Sequence, residues 1–202
     1  KITCVGPTYG VMTLQLTPGT YAVTVTAPEL NGGQPMEKEI TVTKGETTTA
    51  YMLNENVVEI PEQLVLDNGN IVFGIEQDIP FLSYYNDNKE QKKIYNYPAT
   101  LEYAIIQRSQ EPIGNTITVN YGSVRMKLRG LNVNAGVPVA VLDGAAAAIS
   151  LSGANTLAGT SGPGIHVAAS TALTLDGTGT LTVSGTNAAG IGGKNDENNG
   201  TI

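Results

Sequence analysis

The chain has 202 residues, 41% of them hydrophobic, and a formal net charge of −7 at pH 7. This acidic balance argues against a nucleic-acid partner, because phosphate backbones are bound through clustered Lys and Arg side chains. No run of 18 apolar residues is present that would cross a membrane as a helix. The single cysteine, Cys4, excludes an internal disulfide. Both ends begin or stop within strand-like sequence, which indicates a piece of a longer protein whose targeting segment lies elsewhere.

Residues 1–55 have the pattern of a small antiparallel β-sandwich-like module. Tyr21, Val23 and Val25 alternate with small or polar residues, and a second strand is predicted at 40–42, with a return strand at 47–53. One face of these strands is apolar and the other is rich in threonine. That pattern is typical of an antiparallel sheet with one solvated face.

This module contains the segments LTPGTYAVTVTAPE and KEITVTKGETTTAYML. They resemble the closing half of the prealbumin-like and collagen-adhesin B-type modules of bacterial surface proteins. Some of those modules carry a Lys–Asn isopeptide bond that is assisted by a Glu in the central strand. The matching position in this chain is Val25, so no isopeptide bond is expected here.

Residues 56–114 are predicted to connect the first module to the rest of the chain. Strand-like patterns flank the sequence Asp67-Asn68-Gly69-Asn70, which is typical of a tight hairpin turn. Residues 81–98 then form a segment rich in charge and aromatic rings, too polar in its middle for a core strand. We predict that this segment is a hairpin protruding from the start of the following domain, and that strand structure resumes at 101–106.

Aromatic side chains flank the polar middle of that hairpin. The candidate residues are Tyr84, Tyr85, Tyr95 and Tyr97, with Asn96 beside them. Tyrosine rings stack on the C–H faces of sugars and amides bind hydroxyl groups, so the hairpin is a candidate carbohydrate-binding site. The alternative interpretation is that the rings cover an open end of the next domain and protect its unpaired backbone edge.

Residues 115–202 repeat at a spacing of 24 residues. Residues 149–153 recur as 173–177, Ala140-Val141 recurs as Gly164-Ile165, and a weaker copy lies upstream. A fixed period of short alternating runs broken by Gly, Asn and Ser predicts a parallel β-helix with one rung per period. A β-sandwich of hairpins is the alternative, but it would not require constant spacing. The whole chain is therefore predicted to be all-β.

This repeat contains the segment ISLSGANTLAGTSGPGIHVAASTALTLDGTGTLTVSGTNAAGIGG. It resembles the repeated pattern of exported, right-handed parallel β-helix proteins of bacteria. One related set is described as carbohydrate-binding, with acidic plant polysaccharides as ligands and calcium bound on the helix. The resemblance implies an extracellular, cell-surface location and a role in adhesion or polysaccharide binding.

Three basic residues of the repeat are candidates for binding an anion. Arg125, Lys127 and Arg129 alternate with apolar residues, which places them on one face of a strand. We call these three residues the cation strip. One interpretation is that the strip binds uronate carboxylates or another anion. The alternative is an ordinary solvated strand face without a ligand.

Other polar residues of the repeat point less clearly to chemistry. The oxygen-rich loop 195–200 contains several possible calcium ligands, although a plain bend is the alternative. His166 is predicted to face solvent, and Asp143 and Asp176 are predicted to cap turns. No two acids stack at the 24-residue spacing, so no catalytic residue is assigned.

Three functions follow from these patterns. The first is a non-enzymatic surface protein that binds a polysaccharide or host glycan, with the β-helix as stalk or platform. The second is a structural or filament-forming protein that self-associates through β-edges. The third is a polysaccharide lyase or hydrolase whose catalytic rungs lie outside these residues.

Overall fold

The computed structural model describes residues 2–5, 15–26, 36–45 and 61–202. The chain divides into two compact units, Lys1–Glu59 and Ile60–Ile202. Strands make up 52% and helix 2% of the structure, which confirms the all-β prediction. Among the described residues, no helix is both long and apolar enough to span a membrane.

The first unit contains a three-stranded sheet in the order β1-β2-β3. Its strands are β1 (Ile2–Val5), β2 (Gly19–Thr26) and β3 (Met36–Val42). Strands β2 and β3 are antiparallel, with Tyr21 opposite Ile40, as the alternating pattern predicts. Strand β1 instead runs parallel to β2. The predicted return strand at 47–53 lies outside the described residues.

The second unit is a parallel β-solenoid of about 4 turns. Its strands are β4 (Leu64–Val65), β5 (Ile71–Glu76), β6 (Ile79–Tyr85), β7 (Gln91–Tyr95), β8 (Glu102–Ile106), β9 (Ile117–Val119), β10 (Ser123–Arg129), β11 (Asn132–Ala135), β12 (Val139–Val141), β13 (Ala146–Ser152), β14 (Ala154–Gly159), β15 (Ile165–Val167), β16 (Ala172–Gly177), β17 (Thr180–Ser184) and β18 (Ile191–Gly192).

These strands form three sheets, one on each face of the solenoid. Sheet 1 has the order β16-β13-β10-β8-β4, sheet 2 the order β11-β14-β17, and sheet 3 the order β18-β15-β12-β9-β5-β6-β7. Strands of successive rungs pair in parallel. Only the pairs β5-β6 and β6-β7 are antiparallel in this unit.

The spacing between rungs is less regular than the predicted 24 residues. Val133 pairs with Leu157, 24 residues later, but Ile149 pairs with Leu175, 26 residues later. The extra two residues lie in the corner between β14 and β15, which is longer than the corner between β11 and β12. Side chains alternate with a period of two, so a two-residue shift changes the partners and keeps every side chain on its predicted face.

The core consists of columns of apolar side chains that stack along the solenoid. One column contains Ile117, Val139 and Ile165, which pair in successive strands and are fully buried. Burying one such side chain stabilises the fold by about 1.5–3 kcal/mol. Because each inward residue is held by the rungs above and below, the outward side chains between them have well-defined positions.

The predicted hairpin turn at 67–70 is wrong. The chain there turns a corner, since β4 pairs with β8 in sheet 1 while β5 pairs with β9 in sheet 3. Long-range contacts hold this corner. The Asp67 carboxylate accepts hydrogen bonds from the backbone N–H groups of Arg108 at 2.7 Å and Ser109 at 2.8 Å. Pairing with later rungs thus outweighs the local preference for a hairpin.

The solenoid begins upstream of residue 115. Strands β5 and β8 come from the region expected to be a connector, yet they pair in parallel with β9 and β10 of the repeat, and β4 pairs in parallel with β8. The segment 79–95 is an insertion in the first rung. It folds into the hairpin β6–β7, which continues sheet 3 beyond β5.

Candidate functional site

Two of the four candidate sugar-binding tyrosines are buried. Tyr84 is 6% exposed and Tyr97 is 7% exposed, and both belong to the hydrophobic core of the solenoid. Tyr97 packs edge-on against Phe73, with the ring centroids 5.5 Å apart. These rings are therefore unavailable for stacking on a ligand. Their alternative role, covering an open end of the solenoid, stays a prediction.

The remaining candidate tyrosines, Tyr85 and Tyr95, share a face of the hairpin but lie four ladder positions apart, at its opposite ends. The ring of Tyr85 lies directly over Gly69, where an added Cβ would clash with it. Tyr95 is exposed, and its hydroxyl donates to the Glu76 carboxylate at 2.6 Å. Asn96 has a left-handed φ of 54° and its backbone N–H donates to Pro80 O, so it shapes the turn after β7.

The hairpin neutralises most of its own charge. Lys93 Nζ is 2.6 Å from a Glu76 oxygen and lies 4.1 Å from the Phe81 ring centroid. The hydrogen bond from Lys93, followed by the one from Tyr95, lowers the pKa of Glu76. Lys92 likewise pairs with Glu90 at 2.8 Å. These cations are already occupied by neighbouring carboxylates.

The cation strip has the geometry that its sequence predicts. Arg125, Lys127 and Arg129 lie on β10 and point outward from sheet 1, while the intervening residues Val124, Met126 and Leu128 are buried. Arg125 and Arg129 are exposed and Lys127 is half-buried. Alternate residues of a parallel strand are about 6.6 Å apart, so the strip spans roughly 13 Å.

None of the three cations makes an ion pair or a side-chain hydrogen bond with the residues that the structure describes. Arg125 is paired in register with Glu102 of β8, and Lys127 is paired with Ala104 of the same strand. On the other side, Lys127 pairs in register with Ser150 of β13. The strip is thus an exposed row of positive charge on an otherwise weakly charged sheet.

The prediction that His166 faces solvent is wrong, because this residue is only 4% exposed. Alternation correctly directs it outward from sheet 3, between the buried Ile165 and Val167. The loop 193–199 then folds over it, and His166 Nε2 lies 2.9 Å from a Glu197 carboxylate oxygen. Periodicity describes which way a side chain points and cannot reveal a later loop that covers it.

We expect the contact between loop 193–199 and His166 to weaken in acid. Desolvation raises the pKa of Glu197, but the Lys194 backbone N–H, His166 and the Lys194 charge together lower it below its ordinary value. The ionised Glu197 carboxylate stabilises the folded loop. Because its pKa is lowered, this stabilisation is complete above the ordinary glutamate pKa of about 4.3 and is lost as the pH falls through the lowered pKa. The protection of the Lys194 amide against hydrogen exchange, measured relative to its intrinsic rate at each pH, should fall in that window.

The matched control for this pH effect is Glu197→Gln, which keeps the size of the side chain and cannot ionise. Its Lys194 amide should exchange faster than wild type at neutral pH and lose the acid transition. A transition that persists in the variant would show that the ionisation of Glu197 is not its cause.

The loop considered for calcium uses several of its side chains to hold its own shape. Asn199 Oδ1 accepts the Gly193 N–H, and Glu197 is bound to His166. In the part of the chain that the structure describes, no three His, Cys, Asp or Glu residues are grouped to hold a metal ion. Asp143 has the left-handed φ of 53° expected of a turn residue, whereas Asp176 lies in strand β16 and accepts the N–H of the adjacent Gly177.

The sequence patterns do not single out Asn155, which is 1% exposed. Its Oδ1 accepts the Leu131 N–H at 3.1 Å, and its Nδ2 donates to the carbonyls of Ser152 and Thr180 at 3.2 and 3.3 Å. It therefore joins three successive rungs at a corner. One feature of the sequence could have identified this residue. Asn155 lies two positions before the buried Leu157 on β14, so it points inward, and it pairs with Leu181 in the next rung.

No protein-family model matches the chain, and neither the curated proteins nor the solved structures contain a significant match. The arrangement of charge on the solenoid is therefore the basis for interpreting its function. The cation strip is the strongest candidate, since it is exposed, unpaired and held by a rigid sheet.

Proposed function

We propose that this chain is a non-enzymatic binding module of a bacterial cell surface, and that sheet 1 of its solenoid binds an acidic polysaccharide. The observation that carries the proposal is the cation strip, three exposed or half-exposed cations without a carboxylate partner in the described residues. Other cations of the unit, such as Lys93 and Arg108, have such partners.

A row of free cations on a flat sheet suits an extended polymer with regularly repeated carboxylates. The backbone beneath the strip is held in ladders on both sides by β8 and β13, so binding would order only side chains. Rigid presentation reduces the entropy lost on association. Each exposed ion pair contributes only about 0.2–1 kcal/mol, so three of them predict modest affinity that depends on occupying several sites at once.

The charge of the chain favours a sparse polyanion over a dense one. The net charge of −7 would repel a nucleic acid, whose phosphates are closely spaced and need more than three cations. A polyuronate carries one carboxylate per sugar and presents hydroxyl groups between them. This polymer class matches a short strip within an acidic protein.

The test is a titration with polygalacturonate, using fully methyl-esterified pectin of the same length as the uncharged control. We expect saturable binding of polygalacturonate only, measured by calorimetry, and an affinity that falls as salt rises because exposed charges are screened. Equal binding of both polymers, or no binding of either, would contradict the proposal.

Self-assembly through β-edges is the alternative, and one feature weighs against it at one end of the solenoid. Strand β7 has a single neighbour in sheet 3, and its edge carries Lys92 and Lys93. Charged lysines on an edge strand oppose pairing with another sheet. Sedimentation velocity at rising protein concentration distinguishes the two functions, since only assembly predicts growing species.

A further inference from the structure

The two sides of the cation strip differ in shape and charge. On one side lies β13, whose outward residues Ala148, Ser150 and Ser152 pair in register with Arg125, Lys127 and Arg129. We call these three small residues the shelf. No side chain on the shelf is longer than serine, so the surface beside the cations is low and open.

A polar rim follows the shelf on its far side. Thr174 and Asp176 of β16 pair in register with Ala148 and Ser150, and both are exposed. Neighbouring strands are about 4.8 Å apart, so the rim lies roughly 10 Å from the cations. The Thr174 hydroxyl and the Asp176 carboxylate can accept hydrogen bonds from sugar hydroxyls, and the carboxylate repels anions.

The opposite side of the strip is less suitable for an anionic polymer. Strand β8 places Glu102 beside Arg125 and the branched Ile106 beside Arg129. Glu102 is exposed and would repel carboxylates at that end of the strip. A chain lying on this side would also have to pass over Ile106, which is bulkier than any residue of the shelf.

We infer that the polysaccharide lies along the shelf, parallel to β13, with its carboxylates toward the cation strip and its hydroxyls toward Thr174 and Asp176. This inference rests on the proposed function and specifies its ligand more narrowly. The preferred ligand is a linear polyuronate with acid groups along one edge. A densely sulfated chain would bring anions against Asp176 and bind less well.

Two matched substitutions test the path of the ligand. Ser150 and Ala104 are the in-register neighbours of Lys127 on its two sides, and both are half-buried on the outward face. Ser150→Tyr and Ala104→Tyr each add a neutral ring that strands tolerate well. We expect Ser150→Tyr to weaken polygalacturonate binding at least tenfold and Ala104→Tyr to change it less than twofold.

A third variant tests the rim. Asp176→Asn keeps the oxygen that accepts the Gly177 N–H and removes the charge. It should improve binding of dextran sulfate several-fold, because the carboxylate that repels the sulfate groups is removed. An unchanged affinity for dextran sulfate would contradict the role assigned to Asp176.

The outcomes separate this inference from the proposed function. If the wild-type protein does not bind polygalacturonate, the proposed function fails. If it binds and the two tyrosine variants behave alike, or Ala104→Tyr is the more damaging, the function survives and the path along the shelf is overturned. Thermal melts by circular dichroism establish that each variant is folded before its affinity is compared.

Discussion

Replacing Arg125, Lys127 and Arg129 together with glutamine should weaken polygalacturonate binding at least tenfold. Each exposed ion pair contributes about 0.2–1 kcal/mol to binding. A tenfold change in affinity corresponds to about 1.4 kcal/mol, and three ion pairs of mid-range strength together exceed that value. The fold should be retained, because the three side chains make no ion pairs with described residues and the apolar residues between them stay unchanged. Calorimetry at physiological salt measures the loss.

The control removes the same number of charges elsewhere. Lys89, Lys92 and Lys194 lie on the hairpin and on the loop 193–199, and changing them to glutamine lowers the net charge equally. This variant should bind within about twofold of wild type, because electrostatic effects beyond a Debye length of about 8 Å are screened at physiological salt. Similar losses in both variants would show that overall charge, and not the strip, governs binding.

Asn155→Leu should lower the free energy of unfolding by about 3 kcal/mol, since it leaves the buried Leu131 N–H without its acceptor and removes the donor to the Thr180 carbonyl. Leucine should fit at this position, because Leu181 occupies the same register position in the next rung. The change therefore removes hydrogen bonds with little steric conflict. Urea unfolding measures the loss, and hydrogen exchange at the Leu131 amide identifies its origin.

Asn134→Leu is the matched control for this prediction. Asn134 lies on β11 of the same sheet but points outward and is exposed. The identical substitution there should change stability by less than about 0.5 kcal/mol. Equal effects at the two positions, or a Leu131 amide that stays protected in Asn155→Leu, would show that the hydrogen bonds of Asn155 do not hold the corner.

The sequence predicted the architecture of the solenoid but not its register. Alternation identified inward residues such as Ile149 and Leu175, because a strand buries every second side chain. Counting identical letters gave a spacing of 24, while the ladder in this part of the solenoid uses 26. The glycine-rich corners share few identical residues between rungs. The comparison of letters therefore did not detect the two additional residues in the corner between β14 and β15.

The tyrosine-rich hairpin shows where composition alone fails. Tyr84 and Tyr95 lie in the same polar segment, yet one is 6% and the other 44% exposed. Their environments depend on β6 pairing with β5, since this pairing turns Tyr84 toward the first rung. Rings with the same neighbours in sequence therefore have different roles.

The sequence by itself determined the all-β class, the inward columns of the solenoid and the outward direction of the cation strip, because each follows from the two-residue period of a strand. Only the tertiary structure decided that the Asp67 turn is a corner, that loop 193–199 covers His166, and that Asn155 joins three rungs. These features depend on contacts between residues that are distant in sequence, or on the order in which the rungs stack. A local period contains no information about either.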